Sequence, residues 1–181
     1  MTRTTIRPAR RLMLPALAGA LLLAGPAALR PAQAQDDAGA TVSFEVMKLS
    51  IAQKLAQAAL EDCRARGYQV AVSVVDRFGI PQVLLRDRYA GMHTPETARR
   101  KAWTAVSFRT DTVDLAEATR AGEPESGIRF IEDVMTVGGG VQVTAAGSVV
   151  GGVGVSGAPG GEEDDACARA GIAAVEIDLA F

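Results

Sequence analysis

Apolar residues recur at three- and four-residue steps between Leu49 and Arg66. Leu49, Ala52, Leu55, Ala56, Ala59, Leu60 and Cys63 fall on one face there. That period predicts an amphipathic helix, with Gly67 well suited to the position just past its end. Val70–Val75 is a continuous valine-rich run ending at Asp76, the pattern of a buried strand. Asp76-Arg-Phe-Gly79 reads as a turn into a second strand, Pro81–Arg86, so the pair forms a hairpin. A second helix is expected over His93–Phe108, with Thr94 as N-cap and Pro95 at the first helical position. Its small-residue face is Ala98, Ala102, Ala105 and Val106.

Asp111–Arg120 reads as a third helix and Glu123–Arg129 as a loop. Three further strands are expected, Val134–Val137, Val141–Ala145 and Ser148–Val155, separated by glycines. Gly161–Leu179 reads as the closing helix, with Ala166, Ala170, Ala173, Ala174 and Ile177 on one face and four acids, Glu162–Asp165, in its first turn. The order is α-β-β-α-α-β-β-β-α. Tight turns between neighbouring strands make the sheet antiparallel, and helices must cover at least one of its faces. The glycine-dense stretch Gly151–Gly157 leads straight into a helix start, an arrangement that suits a small-molecule pocket.

The first residues carry no part of this pattern. Arg3, Arg7, Arg10 and Arg11 precede an apolar stretch, Leu12–Ala28, interrupted by Pro15 and Pro26, and Ala32-Gln33-Ala34 is an A-x-A site. Residues 1–34 therefore read as a signal peptide cleaved after Ala34, and 35–48 as a polar leader to a single domain over 49–181. The expected location is periplasmic or secreted, with no stable membrane span after cleavage. Five of the 19 basic residues and none of the 21 acidic ones lie in 1–34, which leaves 14 against 21, a net charge of −7. That balance argues against nucleic acid or an anionic membrane as partner. Export also permits a disulfide. Cys63 near the end of the first helix and Cys167 early in the last one pair if those helices lie antiparallel side by side; otherwise both are small buried residues.

Few residues offer chemistry. His93 is the only histidine. It reads either as a haem or metal ligand or acid–base group at a helix start, or as a polar loop residue beside the cap. A lone histidine excludes a multi-histidine zinc site, and the cysteines lack metal-ligand spacing. Arg99, Arg100 and Lys101 cannot share one helix face, so one of the three is free to point at the glycine-rich loops and hold a carboxylate or propionate while others face solvent. Ser156 offers a hydroxyl or amide to a ligand, because G-V-S-G is not the nucleophile-elbow spacing. Asp111, Asp114 and Glu117 stand at three-residue steps, either a surface cation ladder or acids favoured by a helix start.

Taken together, Val72–Asp76 with its hairpin, Thr97–Phe108, Gly138–Gly140, and Gly151–Gly157 followed by Asp165 and Ala168 resemble the GlcG/HbpS-like haem-binding or haem-degrading family, which also occurs at the C-terminus of PduO-type proteins. The resemblance covers Leu49 to about Leu179. It implies a profilin-like α/β/α sandwich with a five-stranded antiparallel sheet, assembly as a homo-oligomer, and haem binding in the exported branch. It also implies surface iron binding through a D/E-x-x-E motif, here Asp114 and Glu117. Axial ligation differs among members and does not carry over; side-chain chemistry makes His93 the expected ligand and Thr94 a weaker oxygen ligand. Arg99 and Arg100 are expected for propionates, and Trp103, with Phe108 and Tyr89, for stacking. Gly154, Val155, Ser156 and Gly157 are expected to wall the pocket. An alternative reading is a small hydroxy- or keto-acid protein with Arg99 or Arg100 clamping the carboxylate and His93 as acid–base. A third is a ligand-free oligomer. The residues favour a binding protein over an enzyme.

Overall fold

A computed structural model describes residues 39–180, so the expected signal peptide and the first part of the leader lie outside the described residues. The compact unit begins at Ser43. Its elements are α1 (Leu49–Ala65), β1 (Ala71–Asp76), β2 (Pro81–Arg86), α2 (Thr94–Phe108), α3 (Thr112–Ala118), a 3-10 helix (Pro124–Phe130), β3 (Gly140–Ala145), β4 (Ser148–Ser156), α4 (Gly161–Ala173) and α5 (Glu176–Leu179). The sheet is antiparallel, in the order β2-β1-β4-β3.

Alternation along the central strands assigns each layer. Val72 and Val74 of β1 sit opposite Val155 and Val153 of β4 and face one core, shared with Leu55, Ala56, Ala59 and Cys63 of α1 and with Cys167 and Ala168 of α4. Val75 faces the other way, onto Ala102 and Val106 of α2. The sheet thus lies between α1 with α4 on one side and α2 on the other. Small residues set the distances. A Cβ at Gly154 would overlap the Ala98 carbonyl of α2, and one at Gly171 of α4 would come within 2.8 Å of the Leu55 carbonyl of α1. Glycine is what lets these backbones meet. The Cys63–Cys167 disulfide joins α1 to α4 with both residues fully buried, so the helices lie close enough for the pairing to form.

The structure corrects the expected architecture at several points. There are four strands among the described residues, because Val134–Val137 forms no strand. That segment is bonded to α2 instead: Arg100 donates to the carbonyls of Asp133 (3.2 Å) and Val134 (2.8 Å), and the Met135 amide donates to Thr104 Oγ1 (2.9 Å). The closing helix stops at Ala173 and resumes as α5. The buried side of this region is Asp164, Cys167, Ala168, Gly171, Val175 and Leu179, whereas Ala173, Ala174 and Ile177 of the expected apolar face are exposed and Ala166 and Ala170 are half-buried. The expected loop over Glu123–Arg129 is mostly the 3-10 helix. Thr94 does not cap α2: His93 occupies the N-cap, and Thr94 Oγ1 donates to the Gly91 carbonyl (2.8 Å).

Candidate functional site

The loop between β2 and α2 is anchored before it reaches His93. Asp87 is buried, pairs with Arg64 (2.6 Å) and accepts from the Val70 amide (3.2 Å). Arg86 donates to the Ala90 carbonyl. The chain then enters α2 beside the place where β4 ends and turns through Gly157-Ala-Pro-Gly160 into α4. A cleft of about 410 Å³ lies between these two helix starts. His93, Thr94 and Thr97 line it from α2, and Ser156, Gly157 and Gly161 from the opposite side.

Lys101 and Asp164 make the floor of this cleft. Successive residues of a helix are about 100° apart, so Arg99, Arg100 and Lys101 diverge. Lys101 falls on the face of Ala98, Ala102 and Ala105, which packs on the sheet, and it is only 1 % exposed. Its Nζ donates to the Val155 carbonyl (2.9 Å) and to Asp164 Oδ2 (2.7 Å). Asp164, 4 % exposed, accepts from the Ala158 amide through Oδ1 (3.0 Å). Burial pushes the Lys101 ammonium below the ordinary lysine range, opposed by the Asp164 charge; burial likewise pushes the Asp164 carboxyl up, opposed by Lys101. The pair bridges α2, β4 and α4 at one point.

His93 is exposed at the mouth of the cleft and its ring has no hydrogen-bond partner among the described residues. The ring lies against Gly91, where a Cβ would come within 2.7 Å of Cε1. Thr97 Oγ1 donates to the His93 carbonyl (3.0 Å), which fixes the backbone and leaves the imidazole free. Ser156 is 5 % exposed as a residue, and its hydroxyl makes no hydrogen bond among the described residues; the fully enclosed hydroxyl without a partner is that of Ser73 on β1, outside the cleft.

The remaining expected site residues are placed elsewhere or otherwise engaged. Arg99 pairs with Glu96 (2.7 Å) and Asp133 (2.6 Å), and Arg100 is spent on the Asp133 and Val134 carbonyls, so neither guanidinium lines the cleft. These acids raise the Arg99 pKa further, through its hydrogen bond to Glu96 first. Trp103 sits over Gly79 in a separate recess with Arg77 and Arg109, beyond the reach of His93's cleft. Thr94 is buried and bonded to Gly91, although it lines the cleft wall. Gly151–Ser156 is part of β4, in line with the expected strand Ser148–Val155. Gly154 is filled against α2 and the Val155 side chain is core, while Ser156 and Gly157 do line the cleft.

Asp114 and Glu117 are exposed on α3, and Glu117 is paired with Arg120. Asp111 accepts instead from the Gln142 amide (3.0 Å) and Arg169 (2.9 Å). No group of three or more metal-ligating side chains occurs among the described residues. The residue that sequence reasoning left unassigned is Lys101. Its signal was its place on the Ala98–Ala105 face, and its partner Asp164 was hidden within a run of four acids.

A larger groove of about 680 Å³ runs between the segment at Met47 and the β3–β4 turn, walled by Ile51, Val150 and Leu179. It is more apolar but holds no histidine, cysteine or unpaired buried polar group. The cleft at His93 therefore has the stronger claim to ligand chemistry. Tested against haem, it offers one free imidazole at an open edge and a polar floor. It has no aromatic wall, and one chain's cleft does not enclose a porphyrin. Of these residues, His93 would supply an imidazole to the iron, and the cleft lining would contact the group beside it.

Comparison with known proteins points the same way. A family model described as "Haem degrading protein HbpS-like" matches residues 47–173. The crystal structure of HbpS is 40% identical with a TM-score of 0.70, over 74% of this chain and 93% of that one. The crystal structure of a PduOC:heme complex is 32% identical with a TM-score of 0.67, over 71% of this chain and 94% of that one. The corrinoid adenosyltransferase PduO of Salmonella typhimurium is 31% identical over 153 residues, which cover 83% of this chain and 44% of that protein. The chain spans less than half the length of that curated relative.

Proposed function

The chain belongs to the HbpS-like family of haem degrading proteins, and from that premise we propose that it is an exported haem-binding protein, of the sensing or storage kind, in which His93 ligates the iron. The observation that carries this reading is the placement of the only histidine: exposed, unpartnered and at the mouth of a cleft. The solved relative in complex with haem supports the ligand class. Haem supplies an iron centre whose reactivity depends on its axial ligand and surroundings. This chain contributes the imidazole, a backbone-lined wall, and the Lys101–Asp164 pair that holds the wall in place.

Export is supported by the basic and apolar pattern of residues 1–34 and by the buried Cys63–Cys167 disulfide, which suits an oxidising compartment. No helix among the described residues is long and apolar enough to cross a membrane. Homo-oligomerisation is part of the proposal. Met92, 95 % exposed, and Tyr89, 82 % exposed, lie in the loop just before His93, apolar surface that a second copy would cover.

The test is a haemin titration followed by absorbance, with His93→Ala alongside. A saturable Soret shift that the variant loses or displaces supports both haem and His93. A shift unchanged in the variant retains haem and rejects His93 as ligand. No saturable shift rejects haem. The acid-binding alternative loses its arginine clamp, since Arg99 and Arg100 are bonded elsewhere; a different donor set in the same cleft bears on it.

A further inference from the structure

Iron ligation at His93 leaves the inner end of the cleft unused, and that end is rich in donors. Ser156 is more than nine-tenths buried as a residue and lines the cleft, and its hydroxyl makes no hydrogen bond among the described residues and is not sealed from the cleft. Lining the same cleft is the start of α4, a 13-residue helix whose N-cap, Gly160, has no side chain to cap it. The Asp164 amide bonds back to the Gly160 carbonyl (3.2 Å), but the amides of Gly161, Glu162 and Glu163 precede any intrahelical acceptor and have no other backbone partner.

The acceptors of the floor, by contrast, are already engaged. Both Asp164 oxygens are bonded, Oδ2 by Lys101 and Oδ1 by Ala158, and the Val155 carbonyl accepts from Lys101. The Thr94 and Thr97 hydroxyls donate to backbone carbonyls of their own loop. A guest at this end must therefore bring acceptor oxygens, and a helix N-terminus favours a negative one. Its charge is limited from the outside. Glu162 and Glu163 stand in the first turn of α4, and the Glu163 carboxylate folds back to within 2.7 Å of where a Gly160 Cβ would lie. These acids oppose a multiply charged anion such as phosphate and leave room for a single carboxylate.

We propose that Ser156 and the start of α4 bind one carboxylate group of the ligand, either a small monocarboxylic acid lying in the cleft or a propionate of haem ligated at His93. This inference rests on the cleft being the ligand site. Lys101 is a positioning residue in it: by tying Asp164 to the Val155 carbonyl it sets the start of α4 against the end of β4.

The experiment follows backbone amide resonances of the protein during titration with acetate, glycolate and lactate. It is paired with absorbance titrations with haemin and with haemin esterified at both propionates, each on the parent and on Ser156→Ala. Saturable shifts at Gly161–Glu163 with a small acid, weakened about tenfold or more by Ser156→Ala at unchanged melting temperature, support a free acid as guest. Haemin affinity that falls about tenfold in Ser156→Ala, with the ester binding the two proteins equally, supports a propionate. Acid binding that survives when haemin fails to bind keeps this inference and rejects the haem reading. Haemin binding that depends on His93 but is indifferent to Ser156 and to esterification, with no small-acid shifts at α4, keeps haem and overturns this inference. Should Ser156→Ala not fold, the amide shifts of the parent protein decide: their absence with every acid and with haemin overturns it.

Discussion

Lys101 Nζ lies 2.7 Å from Asp164 Oδ2 although the two residues stand 63 positions apart, and both side chains are almost wholly buried. This ion pair fastens α2 to α4 through the sheet. Its partners are complete, since the remaining contacts go to Val155 and Ala158. Removing one member leaves the other charge buried. Lys101→Met is expected to lose about 3–5 kcal/mol of stability, and the double variant Lys101→Met, Asp164→Asn is expected to regain much of that loss. Urea unfolding of the three proteins measures it. A double variant no more stable than Lys101→Met would mean that the unpaired Asp164 charge is not what makes the single loss large.

The Cys63–Cys167 bridge closes a loop of sequence separation 104. Its removal frees the unfolded chain and leaves α1 and α4 joined only by packing. Replacing both cysteines by alanine is expected to cost about 2–5 kcal/mol. Urea midpoints of the parent, with and without reductant, and of the double variant give the value. The variant should not respond to reductant.

Gly154 marks where α2 presses on β4. An added methyl would meet the Ala98 carbonyl and lie 2.7 Å from the Ala102 amide, both backbone groups that cannot swing aside. Gly154→Ala is expected to lower stability by about 1–3 kcal/mol. Gly127→Ala is the comparison, because nothing lies within 4 Å of its added carbon; its effect should stay below about 0.5 kcal/mol. Thermal unfolding of the two variants separates the close approach from a general loss of glycine.

Glu96 is held below its ordinary carboxyl range, chiefly by its hydrogen bond to Arg99. A lowered folded pKa means that its contribution is complete above the unfolded value of 4.5 and drains away as pH falls through the folded value. Because Glu96 is largely exposed, the effect is small, below about 0.5 kcal/mol. Glu96→Gln should therefore unfold slightly earlier in urea at neutral pH, with the gap to the parent closing as pH drops below 4.5. A gap that is constant with pH would assign the loss to packing instead of charge.

Much of the fold was legible in local pattern. The expected helices Leu49–Arg66 and His93–Phe108 and the valine run Val70–Val75 correspond to α1, α2 and β1 within a residue. Their neighbours in space were less so. Val134–Val137 has strand composition yet forms none, because Arg100 and Thr104 of α2 take up its backbone groups. The expected arginine clamp failed for a related reason: Glu96 and Asp133 reach Arg99 first. Trp103 is on the correct helix for the cleft but stands on a different side of it from Lys101, where it covers Gly79.

By itself the sequence determined the helices α1 and α2, the strands β1, β2, β3 and β4, that glycine would crowd β4, and that one histidine precedes α2. Those properties follow from periods of a few residues and from the backbone freedom of single positions. Tertiary structure alone decided that Cys63 meets Cys167, that Lys101 and not its arginine neighbours turns inward to Asp164, and that Ser156 and the start of α4 line one cleft. Those relationships depend on the strand order and on which helix lies on which face of the sheet. They are set by the burial of whole faces together, which no short stretch of sequence contains.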